Sequence, residues 1–169
     1  MSDTSYDLVI VGAGFAGMYM LHRARGLGLR TCVLEQGGGV GGTWYWNRYP
    51  GARCDIESVQ YSYQFSEELQ QEWDWSERYS SQPEILDYAN HVADRFDLRR
   101  DICFNSEVTS LAFDDHANAW QIDTTNGPTR HATWVVMATG CLSVPNLPPI
   151  EGLTSFEGPI YQTGSWPHY

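Results

Sequence analysis

Residues 6–35 run YDLVIVGAGFAGMYMLHRARGLGLRTCVLE, and their order of patterns decides the fold. Tyr6 to Val11 is a short apolar run rich in Val and Ile, which predicts a strand buried in a parallel sheet. Gly12, Gly14 and Gly17 follow at once in GxGxxG spacing. A helical pattern then runs to about Leu27, with Met18, Leu21 and Ala24 on one face, and Gly28 ends it. Thr31 to Glu35 predicts a second strand. The stretch therefore spells strand–turn–helix–strand, the context in which this glycine spacing carries meaning. Gly12 permits the tight turn, Gly14 lets backbone approach a pyrophosphate, and Gly17 lets helix and strand pack closely. The helix N-terminus presents free N–H groups to the anion. Glu35 stands where an acid accepts ribose hydroxyls, and its charge would repel a 2′-phosphate, so this site should not hold NADP.

Gly37 to Arg53 is neither helical nor alternating, and its aromatic content argues against disorder. Gly41 and Gly42 allow a second close backbone approach. Ser66-Glu67-Glu68 predicts the start of a short helix with acidic residues where the dipole favours them. Ser81-Gln82-Pro83-Glu84 predicts a capping box with proline in the first turn. The helix that follows is expected to bury Ile85, Ala89, Val92 and Phe96. From Ile102 the period becomes two. Ile102 to Phe104, Val108 to Phe113 and Trp120 to Thr124 predict short strands, the last two joined by a turn at Asp114 to Asn118. Thr133 to Ala138 predicts an apolar buried strand, closed by Thr139 and Gly140 at the carboxyl edge where ligands bind. Gly41-Gly42 and Ala138-Thr139-Gly140 together favour FAD over NAD. Pro145, Pro148 and Pro149 make an extended linker. The fold class is thus α/β: a Rossmann-like dinucleotide-binding fold with a parallel sheet and a small β-meander.

Composition narrows the function further. The 169 residues carry a net charge of −11 and contain no lysine, which disfavours nucleic acid and anionic membrane surfaces as partners. No segment approaches the length of a membrane helix. Met1 to Asp7 is polar and lacks the apolar run of a signal peptide. The four cysteines, at 32, 54, 103 and 141, form no CxxC pair, so no metal site is expected. Cys32 and Cys103 are expected to be small buried thiols in a reduced, cytoplasmic protein. Trp44, Tyr45, Trp46 and Tyr49 are open to two readings: a packed loop, or, with Arg48, Arg53 and Asp55 among them, a polar site walled by aromatics.

Gly41 to Ser58 (GGTWYWNRYPGARCDIES) resembles the flavin-side loop of Baeyer–Villiger monooxygenases, nearest the phenylacetone and steroid type. The resemblance runs through Ser81 to Arg99 (SQPEILDYANHVADRFDLR) and Leu142 to Leu153 (LSVPNLPPIEGL). Phe156 to Pro167 (FEGPIYQTGSWP) is similar to the family fingerprint FxGxxxHxxxWP, with Gln162 at the histidine position. The resemblance implies an N-terminal FAD-binding portion over 1–150 and a linker over 151–169. It implies FAD held by Gly12, Gly14, Phe15, Gly17, Glu35, Gly41, Gly42, Thr43, Trp44, Asp55, Ala138, Thr139 and Gly140. Asp55 carries a supporting catalytic role, orienting an arginine that lies outside this chain. In the family, NADPH reduces FAD, and a C4a-peroxyflavin inserts oxygen into a small ketone to give an ester. The NADPH unit and the C-terminal part of the FAD domain are expected to be absent, so the chain alone should not turn over. Uncovered apolar surface would then favour self-association or a partner chain. Two other readings stand beside this one: a non-catalytic flavin- or nucleotide-binding module, and a fragment of an NAD-linked dehydrogenase.

Overall fold

The computed structural model describes residues 4–167; Met1 to Asp3 of the polar N-terminal stretch and the last two residues of the linker lie outside the described residues. Six strands form one sheet in the order β3-β2-β1-β6-β5-β4. β1 (Ser5–Val11) pairs in parallel with β2 (Thr31–Leu34) on one side and with β6 (Arg130–Met137) on the other. β3 (Ile102–Cys103) extends the parallel half beyond β2. β4 (Val108–Asp114) and β5 (Ala119–Thr124) form the antiparallel meander, joined to β6 through β5. The turn between β4 and β5 is held by Asp114, whose carboxylate accepts from the N–H groups of His116 and Ala117.

Alternation along β1 sends side chains to two cores. Leu8 and Ile10 face the helical layer, packed with Met18, Leu21, Tyr88, Ala89 and Val92. Val9 faces the other side with Cys32, Leu34, Ile122 and Ala132. The helical layer comprises α1 (Phe15–Gly26) and α4 (Gln82–Arg95), with the short helices α2 (Thr43–Trp46) and α3 (Glu67–Glu72) beside them. Helix α1 ends as its sequence predicts: Leu27 caps it and Gly28 adopts φ +74°, a left-handed conformation that glycine takes without strain.

Four local expectations need correction. Ser81 is the N-cap of α4, but its side chain makes no capping bond; Glu84 is drawn away to accept from the backbone and hydroxyl of Ser76, so no capping box closes. β6 is not buried throughout. Trp134 is 56% exposed, because α1 packs on β1 and β2 rather than on β6. The irregular stretch after β2 contains one helical turn, α2, capped by Gly42 at φ +55°. Cys103 is half-buried rather than buried, since β3 is an edge strand of the sheet. No helix of the described residues is long and apolar enough to cross a membrane.

Candidate functional site

A cleft of about 810 Å³ opens where β1, β2 and β6 end, at Val11, Leu34 and Met137. This is the carboxyl edge of the parallel strands, where open α/β sheets bind ligands. Its floor is the turn from β1 into α1. Gly12 has φ +103° and donates its N–H to the Leu34 carbonyl at 2.8 Å. A Cβ on Gly12 would sit 2.7 Å from the Ala138 carbonyl oxygen, so the turn and the end of β6 touch through backbone alone. The N-cap of α1 is Gly14, with no side-chain capping bond and no acidic residue in the first turn. The first helical N–H donors therefore face the cleft without an internal partner, and the helix dipole favours an anion there.

The loop after β2 forms the second wall. Gly41 donates to the Ala13 carbonyl at 3.1 Å. A Cβ on Gly42 would lie 2.9 Å from the Gly14 Cα. The two glycine loops thus pack backbone against backbone, which any side chain at Gly42 would break. Trp44 is buried against Cys54 and Ile85, and Gln82 Nε2 donates to the Trp44 carbonyl. Arg48 bonds the Tyr45 carbonyl and stacks over the Tyr45 ring, while Arg53 pairs with Glu77. This part of the aromatic stretch is therefore a packed loop whose arginines are engaged locally. The next aromatic group fixes the entry to α1. The Tyr63 hydroxyl donates to the Phe15 carbonyl at 2.5 Å, and its ring stacks on Phe15 with centroids 5.3 Å apart. Burial pushes the Tyr63 and Tyr61 phenols up, so both remain neutral.

Glu35 lies just beyond β2 and is 5% exposed. Its carboxylate accepts from Ala13 N–H at 2.6 Å and from Gly37 N–H at 2.7 Å. Two backbone donors hold the acid in one orientation between the glycine turn and the next loop. The loop leading into β4 closes this end of the cleft: Asn105 N–H bonds Gly37 O at 3.0 Å, and Ser106 N–H bonds Glu35 O at 2.8 Å.

The cleft lining brings together Gly12, Gly14, Phe15, Glu35, Gly41, Gly42, Thr43, Trp44, Ala138, Thr139 and Gly140. Gly17 lies behind it, where a Cβ would fall 1.9 Å from the Gly12 carbonyl oxygen. Asp55 is exposed and does not line the cleft. Trp46, one of the aromatics offered as a possible site wall, also lines the cleft, whereas sequence reasoning missed Gln36, Tyr61, Ser106 to Leu111 and Leu142 to Val144 as lining residues. The turn signal Asn105-Ser106 after a short strand was a usable clue only with the strand order in hand. No arginine, lysine or histidine is among the lining residues. A diphosphate here would be met by backbone N–H groups and the helix dipole, and a 2′-phosphate would find no cation beside Glu35. No group of residues fit to hold a metal ion occurs among the described residues.

Comparison with known proteins agrees with this geometry. The family model for pyridine nucleotide-disulphide oxidoreductases matches residues 9–169. An acetone monooxygenase (methyl acetate-forming) from Gordonia sp. (strain TY-5) is 44% identical over 167 residues, covering 99% of this chain and 31% of the relative. A Baeyer–Villiger monooxygenase from Pseudooceanicola batsensis is 43% identical over 163 residues, covering 96% of this chain and 30% of the relative. A solved structure described as oxidized steroid monooxygenase bound to NADP superposes with a TM-score of 0.90 at 56% identity, covering 98% of this chain and 32% of that one. The chain thus spans about a third of the length of the relatives it matches. It belongs to the pyridine nucleotide-disulphide oxidoreductase family and, within it, groups with the flavin monooxygenases of the Baeyer–Villiger type.

Proposed function

We propose that this chain builds the ADP-binding part of the FAD site of an NADPH- and O₂-dependent monooxygenase that inserts oxygen into small ketones. One observation carries the reading: two glycine loops meet backbone to backbone over the start of α1, with a pinned carboxylate at one end and no cationic side chain in the cleft. That donor set fits the ADP half of FAD. The N–H groups of the Gly12–Gly17 turn and the first turn of α1 would hold the pyrophosphate. Glu35, already oriented by Ala13 and Gly37, would accept from ribose hydroxyls. Gln36 and Ser106 to Thr109 would wall the adenine end, and Thr43, Trp44, Thr139 and Gly140 the flavin-ward end. Bound FAD supplies the electron transfer and oxygen activation; the protein contributes orientation and exclusion of water.

Residues 1–150 are read as the N-terminal part of the FAD-binding domain and 151–169 as the linker carrying the fingerprint-like motif. Asp55 takes its supporting role only through groups beyond those described. NADPH binding and ketone turnover belong to a protein of the relatives' full length. Trp134, Met137, Leu142 and Val144 expose apolar surface that further protein, in the same chain or another copy, would cover. The four unpaired thiols fit a cytoplasmic location.

Calorimetric titration tests the reading. Saturable binding of ADP or FAD to the folded chain, with 2′-phospho-ADP at least about tenfold weaker, is the expected outcome. A folded chain that takes up neither ADP nor FAD, or that binds both ADP ligands equally, would overturn it.

A further inference from the structure

On the sheet face away from the helices, four strands bring Tyr6, Cys32, Cys103 and Arg130 together. The Cys103 Sγ lies 3.6 Å from the Cys32 Sγ and 3.6 Å from Arg130 Nη2. Arg130 is 8% exposed. Its guanidinium touches the Pro128 carbonyl at 3.4 Å and the Cys103 sulfur, and no carboxylate pairs with it among the described residues. A guanidinium keeps its proton in a protein, and a buried one is costly without a counter-charge. Tyr6 faces the same cluster, but burial pushes its phenol up and keeps it neutral. Cys103 is the remaining group that can become an anion near neutral pH.

Cys32 completes the arrangement. The hydrogen bond between the two sulfurs, reinforced by burial, pushes the Cys32 thiol up. The same bond pulls the Cys103 thiol down; burial opposes this and Arg130 adds to the pull, leaving it at about 6. We propose that Cys103 is a thiolate modification site, held as the anion by Arg130 and by the Cys32 S–H, and that a hydroperoxide is its reactant. The sulfur lone pair attacks the terminal, hydrogen-bearing peroxide oxygen; the S–O bond forms as the O–O bond breaks, and the departing alkoxide (hydroxide for hydrogen peroxide) takes a proton to become an alcohol or water. Sulfur is oxidised to a sulfenic acid and the peroxide is reduced.

The product stops there. Cys103 stands opposite Leu34 in the parallel register, so Cys32 lies two residues off along the neighbouring strand. Strand rise and spacing then put the two Cα atoms roughly 8 Å apart, beyond the ~7 Å a disulfide spans without backbone movement. Either sulfur can donate in this pair; once Cys103 is ionised only Cys32 keeps a proton to give, and Cys32 is not its disulfide partner.

The test is site-resolved mass spectrometry of the full chain after brief peroxide treatment in the presence of a sulfenic-acid trap, across a series of pH values. Labelling at Cys103 should reach half its plateau near pH 6; Arg130→Gln should raise that midpoint by at least about one unit, and Arg130→Lys should largely restore it. Should Arg130→Gln fail to fold, the thiolate ultraviolet absorbance of wild type minus Cys103→Ser gives the same titration without touching the arginine. Cys32→Ala, which removes the donor, should also raise the midpoint. Absence of label at Cys103, a midpoint in the ordinary thiol range near about 8.5, or a midpoint indifferent to Arg130→Gln would overturn the assignment.

Discussion

Replacing Gly17 with alanine should destabilise the protein by at least about 3 kcal/mol, while the same change at Gly26, nine residues along the same helix, should stabilise it. The added Cβ at Gly17 would fall 1.9 Å from the Gly12 carbonyl oxygen and 3.0 Å from the Gly12 carbonyl carbon. Ordinary contact begins near 3.4 Å, so the start of α1 must withdraw by roughly 1.5 Å. Gly12 cannot retreat instead. Its N–H is bonded to Leu34, and its Cα lies against the Ala138 carbonyl. Withdrawal loosens Met18, Leu21 and Ala24, all essentially fully buried, and overpacking that propagates into a core lies at or above the upper end of the usual ~1–3 kcal/mol. At Gly26 a Cβ would meet nothing within 4 Å, and the backbone there is not left-handed. Alanine then only restricts the unfolded chain and favours the helix, a gain of about 0.4–1 kcal/mol. Urea unfolding followed by tryptophan fluorescence and circular dichroism would read both. With a slope of about 2 kcal/mol per molar, the midpoint should drop by about 1.5 M for Gly17→Ala and rise by about 0.2–0.5 M for Gly26→Ala. A Gly17→Ala midpoint within about 0.3 M of wild type, or equal losses at both sites, would refute the packing argument.

Other perturbations probe separate parts of the molecule. Glu35→Ala strands the N–H groups of Ala13 and Gly37 and should cost about 2–4 kcal/mol in chemical denaturation, with Glu35→Gln losing about half as much. Ser66→Ala removes the acceptor of the Leu69 N–H at the start of α3 and should cost about 1 kcal/mol, whereas Ser81→Ala, which breaks no capping bond, should stay within about 0.5 kcal/mol. The thiol of Cys103 is pulled below its unfolded value of about 8.5, so its contribution to stability is full above that value and is lost as pH falls through about 6. The stability difference between wild type and Cys103→Ser, measured by denaturation at several pH values, should shrink over that window; a constant difference would contradict it.

The element types were legible wherever a local pattern was strong. The apolar run of β1, the GxGxxG turn, the 3.6-residue period of α4 and the alternation after Ile102 each follow from interactions within a few residues, and those elements stand where their sequences put them. Glu35 was legible by its distance from the glycine turn. Strand order was not. Nothing local tells Cys103 that its neighbour is β2, or Ser106 to Leu111 that they close the cleft beside Glu35. The reciprocal half of the capping box at Ser81 failed for the same reason, since Ser76, eight residues before Glu84, competes for that carboxylate only in the folded chain. The sequence by itself determined the βαβ unit, its glycines and its acid, because dihedral freedom and hydrophobic period are local properties. Only the tertiary structure decided which loops share the cleft, which face of β6 stays bare, and that a buried arginine meets a thiol on a strand 27 residues away in the chain. Those outcomes depend on the packing of distant segments and on where each buried charge finds a partner.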